Sequence, residues 1–144
     1  MEASGELIQL EEVVLGACAG EAEWPARIAA GIYAGVDFAI LHPEVLKGLY
    51  SDLESKAENI ARYEEVIRRF TGYLQHQAPV GERLPGSTDR ALVGGIVGLV
   101  GDHLRLGRTE RLSELRPDLV LLVLLPYLGF AEAKSWADRV DPSN

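Results

Sequence analysis

Apolar residues recur at three- and four-residue steps along almost the whole chain, and no stretch alternates like a half-buried strand. The first run, about Leu7–Ala19, places Leu7, Leu10, Val14 and Ala17 or Cys18 on one face, and Gly20 supplies a stop. A second helix is expected from Trp24 to about Leu41. Pro25 suits its first turn, where a missing N–H leaves no bond unmade. His42-Pro43 ends it, because the residue before a proline is held out of the helical region. Ile28, Ile32, Gly35, Val36 and Ala39 form its inner stripe, with Tyr33, Asp37 and Ile40 on the neighbouring one.

The pattern then predicts a short helix over Pro43–Tyr50 and a long one over Ser51–Gln75. The long helix carries Leu53, Ala57, Ile60, Tyr63, Ile67, Phe70 and Leu74 on one face. Glu58/Arg62, Glu64/Arg68 and Glu65/Arg69 are i,i+4 pairs with the acid first, the order that supports a helix by a few tenths of a kcal/mol, roughly, per pair. Gln77–Gly86, with two prolines and two glycines, is expected to be a loop. Ser87 or Thr88 caps a helix over Thr88–Leu106. A short turn over Thr109–Leu115 leads to a helix from Pro117 to Leu128, closed by Gly129 and bent by Pro126. Ala131–Val140 closes the chain around Trp136. The expected fold is a single all-α domain over residues 1–144, a bundle of about seven helices.

Two of these helices are more apolar than one core requires. Ala91–Gly101 and Leu119–Leu128 contain no charged residue, and Leu121, Leu122, Leu124 and Leu125 run round the helix. A helix apolar on every side must be covered on every side. Gly94, Gly98 and Gly101 share a stripe with Ala91, and Gly95 lies beside it. Each interior glycine costs about 1 kcal/mol relative to alanine unless close backbone approach offsets it. The two helices either pack only on each other or pair with a second copy around a twofold axis. We expect the latter: a four-helix homodimer interface using Gly94, Gly98, Gly101, Leu121, Leu122 and Leu125.

Charge and chemistry narrow the function. Against 14 basic residues stand 22 acidic ones, a net charge of -8, so the basic footprint that grips phosphate backbones is missing and direct nucleic-acid binding is not expected. Met1–Glu12 has no Lys or Arg and does not resemble a signal peptide. The apolar run Leu119–Leu125 is far short of the ~20 residues a membrane span needs. One cysteine, Cys18, fits a reducing compartment, and a cytoplasmic location is expected. No His-x-x-x-His, Glu-x-x-His, cysteine cluster or phosphate loop occurs, so neither an enzyme nor a metal or cofactor is expected.

Three stretches resemble a known family: WPARIAAGIYAGVDFAILHPEVLKGLY (Trp24–Tyr50), RALVGGIVGLVGDHLRLGRTERLSEL (Arg90–Leu115) and RPDLVLLVLLPYLGFAEA (Arg116–Ala133). They are similar to the C-terminal regulatory domain of the TetR family of transcriptional repressors. The resemblance covers about Leu7–Val140 and rests on packing motifs. It implies a sensor whose two late helices form the dimer interface and whose earlier helices enclose a small apolar or aromatic effector, with no cofactor. The family's helix-turn-helix has no counterpart here, since Met1–Gly20 is short and acidic. A second reading is an interaction protein without a DNA reader, which heterodimerises with a full-length regulator.

Within that picture the candidate ligand contacts are Tyr33, Asp37, Tyr63, Ile67, Phe70 and His103. Asp37 is the only charge between Arg27 and His42, with Tyr33 one turn before it. The pair either meets a ligand or faces water. Tyr63, Ile67 and Phe70 lie on the inner face of the long helix, as pocket wall or as plain core. His103, late in the glycine-bearing helix, either meets a ligand or complements the helix dipole.

Overall fold

In the computed structural model, which describes residues 2–44, 64–65, 67–74 and 86–139, all regular structure is helical. The elements are α1 (Glu2–Ala19), α2 (Trp24–Leu41), α3 (residues 67–74), α4 (Gly86–Arg105), a 3-10 turn (Thr109–Arg111), α5 (Leu112–Leu128) and α6 (Phe130–Arg139). Together they form an all-α bundle. Helix α2 has the bounds expected of it, with Pro25 in its first turn. Helix α1 starts five residues before Leu7, because a polar turn can extend a helix without an apolar face to mark it. Residues 43–44 are helical. The rest of the expected Pro43–Tyr50 helix, the long helix before residue 64, and the loop before Gly86 lie outside the described residues.

Helix α5 departs from expectation in an instructive way. It begins at Leu112 rather than at Pro117, and so absorbs most of the turn expected over Thr109–Leu115. A proline at position 117 cannot donate to the carbonyl of Ser113 four residues back. Arg116 supplies the missing donor: its Nε lies 3.0 Å from that carbonyl. The same guanidinium donates to Asp37 Oδ1 at 2.8 Å and lies over the Tyr33 ring, 4.7 Å from its centroid. One side chain thereby repairs α5 and fastens it to α2.

Helix α5 is the spine. It packs against α2, α4 and α6, which is why Leu112, Leu119, Val120 and Leu124 are all buried at 1% exposure or less. Much of its apolar circumference is therefore covered within the chain. Its end is set by Gly129, whose φ of 85° lies in the left-handed region open to glycine. The Gly129 N–H returns to Leu125, and its carbonyl accepts the first bond of α6 from Ala133. The larger core cluster joins Ile28 and Ala29 of α2, Ile67 and Leu74 of α3, and Val93 of α4 to α5 and α6, with Trp136 and Tyr127 at its base. The smaller one gathers Val36, Ala39, Val100, Leu104, Leu112 and Leu119.

Among the described residues helix α1 packs on α2. Gly31 sets how close it comes: a β-carbon there would stand 2.7 Å from Cys18 Sγ and 3.4 Å from Val14 Cγ1. Farther off, Arg69 of α3 meets Glu11 of α1 at 2.5 Å, an exposed pair worth about 0–1 kcal/mol.

Two expectations follow for chemical denaturation. Arg116→Met removes three contacts and orphans a carbonyl, so it lowers stability by about 1–3 kcal/mol, whereas Asp37→Asn costs less than about 1 kcal/mol. Equal losses would mean that the exposed ion pair, not the repaired carbonyl, is what matters. Gly31→Ala forces α1 away from α2 and costs about 1–3 kcal/mol. A neutral or stabilising Gly31→Ala would show that the seam is not closely packed.

Candidate ligand-binding site

Where α1, α2, α3 and α4 converge over α5, they leave a cavity of about 150 Å³. Each helix contributes one face at helical spacing. Helix α1 supplies Leu10, Val14 and Cys18, each one turn from the last; α2 supplies Ile28, Gly31, Ile32, Gly35 and Val36. Helix α3 adds Phe70, Tyr73 and Leu74, α4 adds Val93, Ile96, Val97 and Val100, and Val123 of α5 forms the floor. The cause of the void is visible in the residue types. Six valines and two glycines stand at positions where longer side chains would meet in the middle.

The wall is almost wholly carbon. Among the described lining residues the polar side chains are the Cys18 thiol and the Tyr73 phenol. Cys18 is 2% exposed. Burial pushes its thiol above the ordinary value of 9.0, outweighing the opposing pull of Tyr73 and the Arg27 charge. Tyr73 is likewise raised, first by burial and then by the neighbouring sulfur. At neutral pH both groups are uncharged, and Cys18 lacks the thiolate character of a reactive cysteine.

The expected contacts divide on this geometry. Phe70 is on the wall. Ile67, one turn earlier, is buried in the core, with its Cδ1 beside Gly94, 3.9 Å from where a β-carbon would stand. Tyr33 lies under Arg116, and Asp37 is half exposed and paired with that arginine, so neither lines the cavity. His103 is also away from it, its Nδ1 3.0 Å from the Leu99 carbonyl of its own helix. Tyr63 lies outside the described residues. Of the expected interface set, Gly101 is buried, Leu121 is half-buried against the larger core, and Gly94 looks inward toward Ile67. Gly98 meets open space, and Leu122 and Leu125 are 37% and 39% exposed. Leu10, Val14 and Cys18 were expected on one face of α1 but not as ligand contacts, and Tyr73 was not among the expected contacts. Their signal was present: Leu10, Val14 and Cys18 recur every four residues, and Tyr73 follows Phe70 by three.

A buried polar contact lies away from the cavity. Asp89, in the first turn of α4, accepts a hydrogen bond from the Tyr127 hydroxyl, and Trp24 meets the Tyr127 ring edge-on at 5.1 Å. This joins the starts of α2 and α4 to the end of α5. Among the described residues no three His, Cys, Asp or Glu side chains gather to hold a metal ion. Among them, too, no helix is long and apolar enough to cross a membrane. No family model, curated protein or solved structure matches this chain.

The raised Cys18 and Tyr73 values fix the sign of a pH effect. The folded state favours the protonated groups, so their contribution is intact below the ordinary thiol value and is lost as pH rises through the raised one. Urea midpoints are expected to fall as pH rises past the ordinary thiol value of 9.0, and less steeply in Cys18→Ala. An equally steep fall in that variant would place the alkaline loss on other groups.

Proposed function

We propose that this chain is the effector-sensing and dimerisation domain of a TetR-type transcriptional regulator, in which a small molecule in the cavity shifts the packing of α1. The observation that carries this reading is the cavity itself. Its wall draws on five helices, and α1 contributes three residues to it. A molecule inside touches α1, α2, α3 and α4 together. It therefore favours whichever arrangement of α1 contacts it best, which is what a population shift requires. Helix α1 would pass that shift toward a DNA-reading domain.

The outer faces of α4 and α5 support the pairing. Gly95 and Gly98 have nothing within reach of an added β-carbon, and Leu99, Leu122 and Leu125 are exposed. A second copy laid against this face would cover them and give the interior glycines of α4 their compensation.

The test has two parts. Sedimentation is expected to give a dimer at micromolar concentration, and Leu122→Glu with Leu125→Glu is expected to give monomers with unchanged helicity. A stable lone wild-type protomer would remove the dimerisation half of the proposal. Native mass spectrometry of gently purified protein is expected to show a retained small molecule. An empty protein that also shows no change in α1 amide exchange with any added apolar compound would remove the sensing half.

A further inference from the structure

We draw no further inference here: the strongest candidate, the apolar cavity between α1, α2, α3 and α4, belongs to the site already described, and its wall narrows the guest no further than an apolar one.

Discussion

The contact between α1 and α2 is the constraint on which the rest of the molecule turns. Gly31 admits the sulfur of Cys18 to a place where any β-carbon would collide with it. With α1 drawn that close at one edge, Val14 and Leu10 are carried over the gap between α2 and α4, but are too short to fill it. The seam and the void are thus two aspects of one arrangement. Short side chains let the backbones approach at the edge and leave space behind them. Lengthening a side chain at the seam opens the lid, and lengthening one at the wall removes the room.

Opposite that lid stands a rigid base. Helix α5 is held by α2, α4 and α6, and its one structural weakness, the proline at 117, is mended by the neighbouring arginine. The base is fixed by fully buried leucines and by the Asp89–Tyr127 contact. Among the described residues helix α1 is fixed by the seam with α2, a small cluster of Leu10 with Phe38, and an exposed ion pair with Arg69.

What the sequence disclosed follows from the range over which each feature is determined. The bounds of α2 were legible because Trp24-Pro25 and His42-Pro43 act through the two or three residues around them. The start of α5 was not. A proline looked like a beginning, and the donor that allows helix on both sides of it is a side-chain choice that propensity does not encode. Asp37 drew attention as an isolated charge among apolar residues, yet its partner is Arg116, 79 residues away in sequence. The helical faces that form the wall were readable from spacing. The empty volume between them was not, because it depends on how short side chains from five helices meet. Periodicity says which way a residue points and nothing about whether the far side reaches it.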